Sequence, residues 1–311
     1  MSSIDQPSQA KESKTNFSFK LTADRLAALG AEFTSLPPPL YPFKDYPAEQ
    51  FHRITSGIFT DLYQPAMQGR TRYTDIIAYN VNRYKIASDP TFVYNASIML
   101  NGRAIACEAP QDNNLNEFWR MIWDATPTAL VMLTNLFQGS TEKCRRYWPE
   151  KVGESTTFGE ITVKNVGEQT LFTLGGSSNE AIVARSLEYA SAGSDQKRTT
   201  TQFHLTNWPD FGVVDAKTLA QLVVLLENHT KAHPGVVLTH CTAGVGRTGC
   251  LLAVWESHRL IQAGNGEGSD LLVIKEVTSK MRRPEHGGRE GMIQTPEQYT
   301  LAHQALQLLH T

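Results

Sequence analysis

The chain has 311 residues, 41% of them hydrophobic, which suits one large α/β domain with an extension and supplies a sizeable core. A net charge of −2 excludes a general nucleic-acid or membrane-surface role, so any attraction for phosphate has to be local to a pocket. The four cysteines, Cys107, Cys144, Cys241 and Cys250, show no Cys-x-x-Cys spacing, and the nine histidines form no ligand pair, which argues against a zinc site or a disulfide framework. No metal or other cofactor is expected. No run approaches transmembrane length and no signal-peptide core opens the chain, so the expectation is a cytoplasmic monomer in which the sequons at Asn95 and Asn228 are incidental.

In chain order, the first sixteen residues are polar and read as a disordered leader. Thr22 or Asp24 opens a short helix that ends near Gly30, and Pro37-Pro38-Pro39 makes a stiff connector. Residues 1–45 are therefore an extension and 46–311 the main domain. Residues 161–164, 171–174 and 182–189 read as sequential strands separated by Gly-, Asn- and Ser-containing turns. Phe203 and Leu205 alternate with polar neighbours, and Leu219, Leu222, Val223 and Leu226 mark an amphipathic helix. Val236-Val237-Leu238-Thr239 is a short apolar strand, and Leu251, Leu252 and Trp255 recur at helical spacing. Near the end, Thr295 reads as an N-cap, Pro296 as the first helical residue and Gln298 as a capping-box partner, with Ala302, Ala305, Leu306 and Leu309 on the buried face. The fold class that results is α/β (α+β), a large twisted mixed β-sheet flanked by helices.

The most telling stretch joins the strand near Leu238 to the helix near Leu251: His240-Cys241-Thr242-Ala243-Gly244-Val245-Gly246-Arg247-Thr248-Gly249. Free backbone N–H groups and the helix dipole at such a junction favour an anion. Gly244 and Gly246 let the backbone curl so that successive amides point inward, and Arg247 closes the ring with a two-pronged grip on phosphate oxygens. The field that holds an oxyanion also stabilises a thiolate, bringing a cysteine from about 8.5 into the range of roughly 3.5–7.5. Thr248 is placed to donate a hydroxyl hydrogen to the Cys241 sulfur, and His240 to brace the loop from behind. A buried structural cysteine in a glycine-rich turn is the plainer alternative, which the spacing Cys-x5-Arg-Thr disfavours.

With these residues the chain resembles the protein tyrosine phosphatases, and the likeness runs from about Tyr46 to the C-terminus. The resemblance implies a metal-free phosphatase acting on phosphotyrosine-containing proteins, with Cys241 as nucleophile and Thr242, Ala243, Gly244, Val245, Gly246 and Arg247 cradling phosphate. Trp208-Pro209-Asp210-Phe211-Gly212-Val213 resembles the family's mobile acid loop, which makes Asp210 the general acid and Trp208 and Gly212 hinge anchors; a plain Pro-Asp turn is the alternative. Arg72-Tyr73-Thr74-Asp75 resembles the phosphotyrosine recognition loop, with Tyr73 stacking on the substrate ring and Asp75 accepting from substrate amides; a core aromatic is the alternative for Tyr73. Gln294 is implied to position the water that hydrolyses a phosphocysteine, with Gln298 assisting.

The segment 133–144 also aligns, placing Lys143 where the family has a lysine that contacts the acid loop or the phosphate. Where the family commonly has a glutamate paired to the signature arginine, this chain has Gln138, and Glu142 is the nearest substitute. Gly291 stands where a glycine leaves the cleft open beside the main pocket. The catalytic loops also resemble those of bacterial effector phosphatases, which would make residues 1–45 a docking or secretion segment for delivery into a host cytosol; a packing or linker extension is the plainer reading. A dual-specificity or phosphoinositide phosphatase would share Cys241 and Arg247, although Thr242, Ala243 and Val245 supply no loop lysines. A silent phosphotyrosine reader would be expected to lack Cys241 or Asp210, and both are present.

Overall fold

A computed structural model of the protein describes residues 21–38, 68–175, 179–264 and 270–311. An eight-stranded sheet runs in the order β1-β2-β10-β3-β9-β8-β7-β6. Its centre is formed by β2 (Ala104–Cys107), β10 (Val237–His240), β3 (Ala129–Met132) and β9 (Lys197–Leu205), all paired in parallel. Antiparallel strands flank it: β1 (Ala96–Met99) on one side, and β8 (Ala181–Ser191), β7 (Ile161–Thr173) and β6 (Ser155–Phe158) on the other. The central strands β2, β3 and β10 are buried at every position, as expected of parallel strands covered on both faces.

Strand alternation divides the core in two. Ala104, Ala106, Val131 and Val237 face one way and pack with helices α3 (Ala216–Ala232), α4 (Gly246–Gln262), α5 (Asp270–Met281) and α6 (Pro296–His310). Ile105, Cys107, Leu130, Met132 and Leu238 face the other way, onto Phe118, Trp119 and Ile122 of α2 (Leu115–Ala125). The expected fold class is the observed one.

Three local expectations are corrected. The predicted strands at 161–164 and 171–174 are one strand, β7, and the residues taken for a turn form a bulge between Asn165 and Gly167. Asn165 is buried, accepts from Gly167 N–H at 3.2 Å and donates to Pro149 O at 3.3 Å, so its side chain satisfies the irregular backbone in place of a turn. The N-terminal helix α1 (Ala23–Ser35) does start from the Thr22 cap but runs through Gly30. Tertiary packing overrides the glycine: Glu32 accepts from the Tyr299 hydroxyl at 2.5 Å, Phe33 meets the Tyr299 ring at 5.8 Å, and Leu29 and Leu36 are buried. Finally, Thr295 caps α6 by accepting from Gln298 N–H at 3.2 Å, but the Gln298 side chain accepts from Gln294 N–H at 3.0 Å, one residue before the cap, so no reciprocal box forms. Residues 1–16 and Pro39 lie outside the described residues.

Helix α4 approaches the 292–294 segment backbone to backbone. A Cβ on Gly249 would stand 2.5 Å from Ile293 N and 3.0 Å from Met292 C, neither of which belongs to a flexible side chain. Gly249→Ala is therefore expected to lower stability by about 1–3 kcal/mol. A urea midpoint equal to wild type would show that the two segments are not held this closely.

Candidate active site

Strand β10 ends at His240 and α4 begins at Gly246, so the intervening loop sits at the carboxyl edge of the central parallel strands. Its conformation is fixed through its carbonyls. Cys241 O is bound by His240 Nδ1 at 2.9 Å, Thr242 O by Ala109 N–H at 2.9 Å, Ala243 O by Arg289 Nη2 at 3.1 Å, and Gly244 O by Arg289 Nε at 3.1 Å. Val245 O accepts from Gly249 N–H and Ile293 N–H. With five successive carbonyls held from outside, the amides are left for the inner side, and Gly244 N–H reaches Cys241 Sγ at 3.3 Å. Gly244 has φ +76°, and a Cβ there would overlap Cys107 O at 2.1 Å, so only glycine fits.

Cys241 and Arg247 are each 2% exposed. Burial alone would raise the Cys241 thiol, but the Arg247 charge and hydrogen bonding from Thr248 and the Gly244 amide outweigh it and bring the thiol below its ordinary value. Regular geometry at the sulfur belongs to the Gly244 amide; the Thr248 hydroxyl is buried without a well-formed partner and adds a looser dipole. Burial instead pushes up Cys107, Cys144 and Cys250, so the loop treats one thiol of four differently. Behind it, burial pushes His240 down to about 4. A neutral imidazole that donates from Nδ1 to a carbonyl must accept at Nε2, where the Tyr147 hydroxyl lies at 2.9 Å.

Arg247 is oriented by a set of partners that the sequence did not disclose. Nη1 donates to Trp208 O at 2.9 Å and Thr134 Oγ1 at 3.2 Å, while Nη2 donates to Asp210 Oδ1 and Thr242 Oγ1, both at 2.8 Å. Glu142 is not among them: its carboxylate pairs with Arg145 at 3.3 Å, and its carbonyl accepts from Arg72. Gln138 instead holds the 208–213 loop, accepting from Asp210 N–H at 3.2 Å. Lys143 Nζ meets Asp210 Oδ2 at 2.8 Å, so the carboxylate spans the lysine and the arginine. The short hairpin of β4 (Phe137–Gln138) and β5 (Thr141–Glu142) brings these residues to the loop. Trp208 is buried and closes the loop base, donating from Nε1 to Gly212 O at 3.0 Å.

The remaining predicted residues gather at the same mouth. Tyr73 is half-buried; burial raises its phenol and the Asp210 charge adds to this, which places the ring near Asp210 and the cysteine loop. Its ring is partly buried and packs against the main core. Asp75 is exposed on the same segment. The Gln294 amide lies directly over the loop, since a Cβ on Gly246 would stand 2.4 Å from Gln294 Oε1 and 3.1 Å from Gln298 Oε1. Gln298 also reaches Gly212 O at 3.4 Å. Among the described residues, no three or more His, Cys, Asp or Glu side chains converge as metal ligands would.

Two buried charges escaped the sequence reading. Glu108 accepts from Arg72 N–H at 2.9 Å and from Asn95 and Asn114 side chains, both at 3.2 Å. Asn95 Oδ1 in turn accepts from Arg289 Nη1 at 3.0 Å. A continuous hydrogen-bonded chain thus joins the Tyr73 segment to the carbonyls of the cysteine loop. Glu108 follows an apolar strand and Arg289 sits in the glycine-rich run Gly287-Gly288-Arg289-Glu290-Gly291, but neither local pattern tells which remote groups the two side chains meet.

A protein-tyrosine phosphatase family model matches residues 67–308, and the chain belongs to that family. Receptor-type tyrosine-protein phosphatase eta of Gallus gallus is 31% identical over 277 residues, covering 83% of this chain and 18% of that protein. Tyrosine-protein phosphatase 69D of Drosophila melanogaster is 32% identical over 251 residues, covering 76% of this chain and 16% of that protein. The chain spans less than a fifth of the length of these relatives. The solved complex of PTPN18 with HER2-pY1196 phosphopeptides has the same fold, with a TM-score of 0.73 and 21% identity over 92% of this chain and 94% of that one.

Burial pushes Glu108 up to about 7 from an ordinary 4.5. A carboxyl that keeps its proton longer when folded stabilises the fold fully below about 4.5 and loses that contribution as pH rises through about 7. Between pH 5 and 8, wild type should therefore lose more stability than Glu108→Gln, by on the order of 2 kcal/mol. Equal losses in denaturant titrations at the two pH values would contradict this assignment.

Proposed function

We propose that the chain hydrolyses phosphotyrosine in proteins through a phosphocysteine intermediate. The observation that carries this reading is the buried Cys241, lowered below its ordinary value inside a ring of loop amides and Arg247, with the Asp210 carboxylate 2.8 Å from that arginine. In the first step Cys241 Sγ attacks phosphorus as the bond to the tyrosine oxygen breaks, and Asp210 delivers its proton to that oxygen. Arg247 and the amides hold the three equatorial oxygens, where the charge of the transition state is spread. An entering phosphoryl group competes with Asp210 for Nη2 of Arg247, which turns the carboxyl toward the leaving oxygen.

In the second step Gln294, held over Gly246, places a water on phosphorus. Asp210 takes the water's proton, the S–P bond breaks and inorganic phosphate leaves. Tyr73 sets the pocket depth, so a phosphoserine is too short to reach the sulfur. Asp75 accepts from substrate amides, and Gln298 and Lys143 position Gln294 and Asp210. We assign the catalytic unit to residues 46–311, with helix α1 of the 1–45 extension docked on α6. All four cysteines are free thiols, in keeping with a reducing compartment such as the cytoplasm. Among the described residues no helix is long and apolar enough to cross a membrane.

The test is phosphate release from matched phosphotyrosine and phosphoserine peptides. Wild type should turn over the tyrosine peptide selectively and Cys241→Ser should abolish turnover; a peptide that binds but is never hydrolysed would establish a reader instead. Asp210→Asn should lower kcat on phosphotyrosine by roughly 10²–10⁴-fold and remove the alkaline limb of a bell-shaped pH profile. An unchanged alkaline limb would exclude Asp210 as the acid.

A further inference from the structure

The segment that carries Tyr73 is fastened to the sheet through one buried carboxyl. Glu108 directly follows β2, is fully buried and takes three donors. Its Oε2 accepts from the Arg72 amide at 2.9 Å and from Asn95 Nδ2 at 3.2 Å, and its Oε1 accepts from Asn114 Nδ2 at 3.2 Å. The two asparagines are buried as well, and both reach the same segment. Asn95 Nδ2 also donates to Ile76 O at 2.6 Å, and Asn114 Nδ2 to Arg70 O at 3.4 Å. Tyr73 therefore lies between ties at Arg70, Arg72 and Ile76, all centred on one side chain.

None of these three partners can turn from donor to acceptor. The Arg72 amide only donates. Asn95 Oδ1 is occupied by Ala78 N–H at 3.1 Å and Arg289 Nη1 at 3.0 Å, and Asn114 Oδ1 by Gln111 N–H at 2.7 Å, so neither side-chain amide is free to flip. Such a ring of donors fits a carboxylate, whereas a proton on Oε1 would face an N–H and displace Asn114. Burial works the other way and pushes the carboxyl up to about 7. The charged and titratable groups around it are the Arg72 and Arg289 guanidiniums, Cys107 on β2 and Tyr94 next to Asn95. A guanidinium keeps its charge, and burial pushes up both the Cys107 thiol and the Tyr94 phenol. Glu108 is therefore the member of this group that exchanges its proton near neutral pH.

We propose that Glu108 is a positioning residue for phosphotyrosine recognition: its carboxylate holds the Tyr73 segment in place near the cysteine loop, and protonation releases the Asn114–Arg70 end of that segment. The proposal rests on the phosphotyrosine reading above, in which Tyr73 sets the depth of the substrate pocket, and adds a proton-controlled grip on the substrate ring. The route from Glu108 to the cradle is weaker. It runs only through Asn95 to Arg289, which Ser97 Oγ, Ala243 O and Gly244 O hold independently at 3.1–3.2 Å. Binding of an aryl ligand should respond to pH through Glu108, and capture of bare phosphate should not.

The experiment compares the whole wild-type chain with Glu108→Gln, whose uncharged amide stands in for the protonated acid, at about pH 5.5 and about pH 8. Two inhibitors of p-nitrophenyl phosphate turnover are used: benzylphosphonate, which presents a ring and is not hydrolysed, and inorganic phosphate, which has none. Each inhibition constant is read as the ratio of the two proteins at one pH, so ionisation of the ligand cancels. Near pH 8 Glu108→Gln should bind benzylphosphonate about threefold to tenfold more weakly than wild type, the size of one lost hydrogen bond. Near pH 5.5 the two proteins should agree within about twofold, and inorganic phosphate should show that agreement at both pH values. A benzylphosphonate ratio that is the same at both pH values, as a purely structural role would give, would overturn the proposal. So would a phosphate constant that moves in step with it. Amide hydrogen exchange across residues 70–76 supplies a readout independent of turnover. Wild type should be better protected than Glu108→Gln near pH 8 and equally protected near pH 5.5; equal protection at both would also overturn the proposal. If p-nitrophenyl phosphate is not hydrolysed at all, the phosphatase reading fails, and the exchange comparison still decides whether the Glu108 carboxylate holds the Tyr73 segment.

Discussion

A buried sulfur and a buried guanidinium belong to one loop in this protein, and the Arg247 charge and the loop's hydrogen bonds outweigh the effect of burial on the Cys241 thiol. Two ions removed from water lose several kcal/mol of solvation each, and the loss is offset only where hydrogen bonds and the opposite charge are placed in advance. Here the carbonyls of residues 241–245 are each bound from outside the loop, by His240, Ala109, Arg289, Gly249 and Ile293. The Gly244 amide is consequently left for the Cys241 sulfur, and the mechanism proposed above has the loop amides take the phosphoryl oxygens. His240 can serve only as a neutral ring, which burial ensures.

The same constraint explains the position of Asp210. Asp210 bridges Lys143 and Arg247, while its backbone is held by Gln138. The loop is therefore tied at both ends of one residue, by side-chain charge and by main-chain hydrogen bond. In the mechanism proposed above, substrate phosphate competes for one of those ties, the one to Arg247. Gln138 suits this arrangement better than a glutamate would, because a second carboxylate beside Asp210 would repel it while an amide oxygen accepts its N–H without charge.

Much of this was legible in the sequence, for physical reasons that differ by element. The cysteine loop was legible because glycine spacing, a flanking strand and a following helix are all local. Thr22 and Thr295 were legible as caps because capping involves residues three apart. Gly30 misled because propensity is local while the contacts that carry α1 past it, to Tyr299 and the core, are distant in sequence. Asn165 and Gly167 misled for the reverse reason, since the residues that make turns also make bulges. Glu108, Asn95 and Arg289 were illegible because their function exists only where remote segments meet. The partner of Arg247 was sought in a nearby glutamate, but the fold supplies Thr134, Thr242 and two groups of the acid loop.

The central claim is that one thiol of four is held as a thiolate by its loop. The direct measurement is the pH dependence of iodoacetamide alkylation, resolved cysteine by cysteine through peptide mass mapping of the folded chain. The account predicts that Cys241 alone reacts, with a half-point below the ~8.5 of a free thiol. Inorganic phosphate should suppress its alkylation, and Arg247→Met should move the half-point upward. A Cys241 half-point at or above that of a free thiol, with Arg247→Met leaving it unchanged, would contradict the account.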